Sequence, residues 1–159
     1  MIGRSSHAHK EANDMTKPTD TTSPAEFVPS TGGGACVRVY AADAVITVDP
    51  DSTLLAVADE LANDQVGLVV LGSMTDVEGV ISERDVVRGV ADGRDPLVTP
   101  ARELASTKVV WCDASATVRE VAERMMEEYV RHALLEEDGR LVGIVSARDL
   151  LSAYAMQPD

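Results

Sequence analysis

Two heptapeptides hold the side chains of this chain best suited to chemistry: GVISERD at residues 79–85 and GIVSARD at residues 143–149. Each sets a Ser, an Arg and an Asp within four residues, where an apolar strand pattern hands over to a helix pattern. Two uses of those residues stand open. One is a capping box: Ser82 or Ser146 accepts a bond from the N–H three residues on. Asp85 or Asp149 then reaches back, favoured by the positive end of the helix dipole. The other use is recognition of a phosphorylated, hydroxylated ligand. A helix N-terminus offers unpaired N–H groups to phosphate beside the Ser hydroxyl. An Asp carboxylate accepts two hydrogen bonds from vicinal hydroxyls, as on a ribose. Arg84 and Arg148 would add a planar cation. The combination suits a nucleotide. Under the capping reading, Gly79 and Gly143 are required by close backbone packing.

The elements that position these residues are themselves written twice. Shifting the chain by 64 residues aligns 37–88 with 101–152 without a gap. Identities run throughout, from Arg38/Arg102 and Val45/Val109 through Thr53/Thr117 and Val66/Val130 to Asp85/Asp149. Only two copies exist, so a pseudo-two-fold pair is expected and not a solenoid. In each copy a short apolar run (VITV, 45–48; VVWC, 109–112) reads as a strand. Turn residues follow (DPDST, DASAT), with Ser52 or Thr53 as candidate helix cap in the first copy. The next helix places Leu54, Val57, Ala58 and Leu61 on one face, matched by Val118, Val121, Ala122, Met125 and Met126. Then come two strands, with Asp138-Gly139 as a hairpin signal in the second copy, and a closing helix. The order β-α-β-β-α, twice, predicts an α/β chain of layered α+β type, its two repeats packed by pseudo-two-fold symmetry. Residues 1–34, rich in Thr, Ser, Pro and charge and ending in STGGG, predict a disordered tail. The repeats are then expected at 35–96 and 97–159.

Composition excludes several classes. The net charge is −13 and no basic run breaks it, so a nucleic-acid partner is not expected. No apolar run reaches the roughly 18–20 residues that span a bilayer, and the N-terminus has no apolar signal region. The expected location is the cytoplasm, away from membrane. Cys36 and Cys112 match no zinc spacing and read as two free thiols, a single disulfide being the alternative. No nucleophile–base set, metal cluster or GxxxxGK[ST] loop stands out, so catalysis is not expected.

The unit that opens VDPDSTL (48–54) and closes on the repeated heptapeptide resembles a cystathionine-β-synthase (CBS) domain. The stretch VRH…DGRLVGIVSARDL (130–150) is especially similar, and 37–152 as a whole resembles a tandem CBS pair, or Bateman module. That resemblance implies a regulatory module without catalysis or a required cofactor. It implies adenosine-containing ligands (AMP, ADP, ATP or S-adenosylmethionine) in two clefts between the repeats. It also implies a homodimer and an effector protein of unknown identity. By the same resemblance Asp85 and Asp149 would hold ribose, and Ser82 and Ser146 phosphate. Thr47 and Trp111 would line the clefts, with Val66, Leu68, Val130 and His132 around the adenine. The chain departs from the family pattern at HALLEED (132–138), which lacks a Pro and puts Glu136 at an apolar position. Trp111 replaces a small residue and is expected in core or interface packing. The first cleft, with Thr47, is therefore the better candidate, and substituting Asp85 should weaken binding. The alternative is a structural or protein-interaction dimer with empty clefts.

Overall fold

The computed structural model describes residues 32–42, 44–64 and 66–155. Of the tail expected over 1–34, only Gly32–Gly34 fall among these, as a 3-10 turn against the second repeat. The first repeat contains β1 (Thr47–Val48), α1 (Leu54–Asn63), β2 (Leu68–Gly72), β3 (Val77–Ser82) and α2 (Glu83–Ala91). The second contains β4 (Trp111–Asp113), α3 (Val118–Glu127), β5 (His132–Glu137), β6 (Arg140–Ser146) and α4 (Ala147–Ala155). The predicted β-α-β-β-α order thus appears twice.

Local chemistry sets the element ends. Thr53, not Ser52, caps α1: its backbone is extended and its Oγ1 accepts from the Ala56 N–H at 3.2 Å. Thr117 caps α3 with Glu120 in a full capping box. The Thr117 N–H donates to Glu120 Oε2 at 2.8 Å, and the Glu120 N–H to Thr117 Oγ1 at 3.2 Å. Asp138 and Gly139 carry φ of 52° and 74°, the left-handed pair that a two-residue hairpin between β5 and β6 requires.

Each repeat forms a three-stranded sheet in which a parallel pair (β1 with β2, β4 with β5) is extended by an antiparallel hairpin. Period-two alternation divides the side chains of β2. Val69 and Leu71 face α1 with Leu54, Val57, Leu61 and Ile81. Leu68 and Val70 face the other sheet, packing with Val80, Trp111, Leu134, Leu141 and Ile144. The second repeat mirrors this, with Ala133, Leu135 and Val145 against Val118, Val121, Met125 and Leu150. The layers run helices, sheet, sheet, helices, and the two inner sheet faces bury each other.

The segments that lead into the repeats are exchanged. Ala35–Val37 precede the first repeat but pack on the second: the Val118 N–H donates to Ala35 O at 2.9 Å, and the Val37 N–H to Ala116 O at 2.8 Å. Their counterparts 64 residues on, Thr99–Ala101, pack on the first repeat. There the Leu54 N–H donates to Thr99 O and the Ala101 N–H to Ser52 O, both at 2.8 Å. A second equivalent pair follows, Ala42 N–H to Ile144 O at 2.9 Å and Ser106 N–H to Val80 O at 2.8 Å. Sequence boundaries at 35–96 and 97–159 therefore do not divide the packing, because each core includes residues from the other repeat's leader. The crossing also accounts for the glycine of the heptapeptide. A Cβ on Gly79 would stand 3.0 Å from the Ser106 carbonyl oxygen, and one on Gly143 3.1 Å from the Ala41 Cβ.

Glu136, at a position where the pattern predicts an apolar residue, is buried. Its Oε1 accepts from the Gly139 N–H at 2.7 Å, while Oε2 is buried without a partner among the described residues. A dry acceptor of this kind costs about 1–3 kcal/mol.

Two stability predictions result. Val37→Ala removes fully buried volume from the second core, and a loss of about 1–3 kcal/mol is expected. Hydrogen exchange should show α3 amides losing more protection than α1 amides; the reverse order would contradict the exchange of leaders. Glu136→Met should raise the melting temperature by a few degrees, about 1 kcal/mol, and a lower one would show the carboxylate to be well served.

Candidate functional site

A cavity of about 460 Å³ opens between the repeats. The second repeat contributes Arg131 and His132 at the start of β5, and Ser146–Asp149 where β6 passes into α4. The first contributes Val66–Leu68 and Glu83, and the leader adds Ala42 and Ala44. Three pairs related by the 64-residue shift share this cavity: Gly67 with Arg131, Leu68 with His132, and Glu83 with Ala147. It straddles the pseudo-two-fold relation, with Glu83 and apolar groups on one side and Arg131, Arg148 and Asp149 on the other.

Of the residues singled out in the sequence, Val66, Leu68, His132, Ser146, Arg148 and Asp149 line this cavity. Ser82, Arg84, Asp85 and Val130 do not, nor does Thr47, which is exposed on β1. Trp111 is buried, 2% exposed, between the two sheets. It packs in the core, the role expected of it. Sequence reasoning passed over Glu83 and Arg131, although each neighbours a residue it selected. The signal for both was available: under the 64-residue shift they match Ala147 and Gly67, so the copies differ in charge at each.

Both heptapeptides form the capping interactions. The Ser82 N–H and hydroxyl donate to Asp85 Oδ2 at 2.9 and 2.6 Å. The Ser146 N–H and hydroxyl donate to Asp149 Oδ2 at 2.7 and 2.6 Å, and Ser146 Oγ accepts from the Asp149 N–H at 3.2 Å. The copies differ at the second carboxylate oxygen. Asp85 Oδ1 is paired with the Arg88 guanidinium at 3.3 Å. The position equivalent to Arg88 is Ser152, whose hydroxyl donates to Arg148 O at 3.2 Å instead. Among the described residues Asp149 Oδ1 therefore keeps its accepting capacity, and Asp149 borders the cavity.

The cations of the cavity are also unspent. Arg88, Arg94, Arg102 and Lys108 pair with Asp85, Glu103, Asp51 and Glu128. Among the described residues, the guanidiniums of Arg131 and Arg148 make neither an ion pair nor a hydrogen bond. His132 sits against the first repeat, its Nε2 3.1 Å from where a Cβ on Gly67 would stand. Burial, then the charge of Arg131, holds its imidazole below the usual histidine range, while Asp149 and Glu83 pull it upward. Elsewhere, Cys36 and Cys112 are both free. The Cys36 thiol donates to Ala114 O at 3.3 Å, and burial pushes the Cys112 thiol up.

The sequence profile of the CBS domain matches residues 37–92 and again 101–156. The chain belongs to the CBS-domain family, as a tandem pair. Hypoxic response protein 1 of Mycobacterium tuberculosis H37Rv is 34% identical over 108 residues, covering 67% of this chain and 76% of that one. A CBS-domain protein of Pyrobaculum aerophilum, PAE2072, solved in complex with AMP, is 29% identical with a TM-score of 0.67; the match covers 76% of this chain and 98% of that one. A structure of Hypoxic Response Protein I with two coordinated zinc ions is 30% identical with a TM-score of 0.64, covering 78% of this chain and 100% of that one. In this CBS pair no cluster of three or more His, Cys, Asp or Glu is placed to hold a metal among the described residues. No helix among them is long and apolar enough to cross a membrane.

The depressed His132 pKa fixes the sign of a pH effect. A histidine held neutral by the fold supports stability above its unfolded value near 6.5, and that support is lost as pH falls. Denaturant unfolding of the wild type should weaken from about pH 7 to pH 5.5 more than that of His132→Asn. Equal pH slopes would show that the imidazole protonates as easily in the fold as outside it.

Proposed function

We propose that this CBS pair is a regulatory sensor that binds one adenosine-containing nucleotide in the cavity beside Asp149, without catalysis. The observation that carries the reading is the pairing difference between the two copies. Asp85 has both oxygens engaged within its own helix turn, whereas Asp149 keeps Oδ1 open to a ribose hydroxyl. Arg131, Arg148 and the N-terminus of α4 supply the counter-charge that a phosphate needs in a chain of net charge −13. Val66, Leu68 and Ile144 supply the apolar wall for a base. AMP is the ligand named for the Pyrobaculum relative, which supports an adenine nucleotide here. The binding position thus proposed lies in the second copy, not around Asp85 and Thr47.

Occupancy has to be read out by something, and the outer helices offer a surface. Val87 and Leu151, equivalent residues of α2 and α4, are 68% and 69% exposed. Val90 and Tyr154, one turn on, are exposed as well. Apolar faces repeated on both halves suit a second copy of the chain, and a homodimer is part of this reading. A downstream effector protein would then sense the dimer's shape.

Thermal unfolding with AMP, ADP, ATP and S-adenosylmethionine tests the reading. At a hundred times its dissociation constant, the bound ligand should stabilise the fold by about 2.7 kcal/mol, a shift of several degrees. Asp149→Ala should abolish that shift and Asp85→Ala should retain it. Silence from all four ligands would overturn the nucleotide assignment and leave a structural dimer; equal loss in both variants would overturn the choice of cleft.

A further inference from the structure

Among the described residues, Glu83 is the one acidic side chain that the first repeat places in this cavity, and its equivalent in the second repeat is Ala147. It is exposed and makes no ion pair or side-chain hydrogen bond among the described residues. Two residues on, Asp85 is held by Ser82 and Arg88, so the SERD turn spends one carboxylate on its own cap and leaves the other facing the cavity. The backbone fixes where Glu83 stands. Its N–H donates to the Gly67 carbonyl at 3.4 Å, and Gly67 is the residue against which His132 packs. Glu83 and His132 therefore share a wall, and the Glu83 charge is felt at the imidazole. The α4 N-terminus, with Arg148, borders the same cavity.

We propose that Glu83 is a specificity determinant of this cavity, a fixed negative charge lent by the first repeat that limits how much charge a bound nucleotide's phosphate tail can carry. The inference rests on the nucleotide reading above and deepens it, favouring a nucleoside monophosphate over a triphosphate. A single phosphate at the α4 N-terminus is balanced by Arg148 and Arg131. Each further phosphate adds negative charge to a cavity that also holds the Glu83 carboxylate, in a chain that already carries excess negative charge. Removing Glu83 relieves the longer tail more than the shorter one.

Titration calorimetry of the full chain with AMP and with ATP, in magnesium-free buffer so that the tails keep their charge, decides the matter. Glu83→Gln should raise the ratio of ATP to AMP affinity by about three- to tenfold, the scale of one partly screened charge. Glu78→Gln, which removes an exposed carboxylate of β3 outside the cavity, should leave the ratio as in the wild type. If AMP binds and the ratio is unmoved by Glu83→Gln, the specificity role is overturned while the nucleotide reading stands. An equal change in Glu78→Gln also overturns it, since net charge and not position would then be responsible. Failure of the wild type to bind either nucleotide overturns the underlying reading together with this one.

Discussion

The exchange of leader segments is the constraint on which the rest of this structure depends. Thr99–Ala101 close the first core and Ala35–Val37 close the second, each by backbone hydrogen bonds to the cap region of a helix in the opposite repeat. A half of this size buries too little apolar surface to stand alone with ease. Exchange removes that difficulty, because each half is completed by a segment the other supplies, and the inner sheet faces are covered in the same act. The heptapeptide's glycine belongs to this arrangement as well. Gly79 and Gly143 stand where the opposite leader passes within about 3 Å of a would-be Cβ, so the repeated motif begins with a packing requirement before any ligand is considered.

Symmetry of the backbone does not extend to the chemistry laid on it. Both Ser–Asp caps form, and both Asp carboxylates spend Oδ2 on the turn. What separates them is one residue a helical turn further on, Arg88 in one copy and Ser152 in the other. Arg88 reaches back to Asp85 and neutralises it locally; Ser152 bonds to a backbone carbonyl, and among the described residues no cation pairs with Asp149. The same logic acts within the cavity, where Gly67 of one copy is matched by Arg131 of the other and Glu83 by Ala147. Duplication provides the frame, and divergence at three or four positions provides a polarity that a symmetric pair would lack.

Most of the fold was legible because its signals are local and repeated. The 64-residue shift, the helical spacing of Val118, Val121 and Met125, and the Asp138-Gly139 turn each carry their meaning in a few neighbouring residues. Trp111 was readable as core for the same reason, being the one large aromatic in a strand pattern. The exchange of leaders was not legible, because the partners of Ala35 and Thr99 lie 83 and 45 residues away in the chain and no local pattern says which repeat a strap will cover. The site was half legible. Residue types announced Ser146, Arg148 and Asp149 but announced Ser82, Arg84 and Asp85 equally well. The choice proposed between them rests on Arg88, whose reach to Asp85 is a matter of rotamer and not of spacing alone. Thr47 was attractive by resemblance, yet it is exposed on β1 and does not line the cavity.

The leader that closes the second core also forms part of the cavity wall, through Ala42 and Ala44. Ala42 is tied by its N–H to Ile144, itself a wall residue. Under the nucleotide reading, one stretch of backbone therefore serves both core closure and ligand contact. Thermodynamic reciprocity then makes any coupling mutual: to the extent that docking of the leader on β6 favours binding, binding favours that docking equally. A cavity built wholly inside one repeat would have no such linkage. This leader continues N-terminally to Gly32–Gly34, which lie against the second repeat. In this geometry the exchanged leader is the element whose docking a ligand can bias, and the exposed faces of α2 and α4 are the surfaces on which such a bias would register.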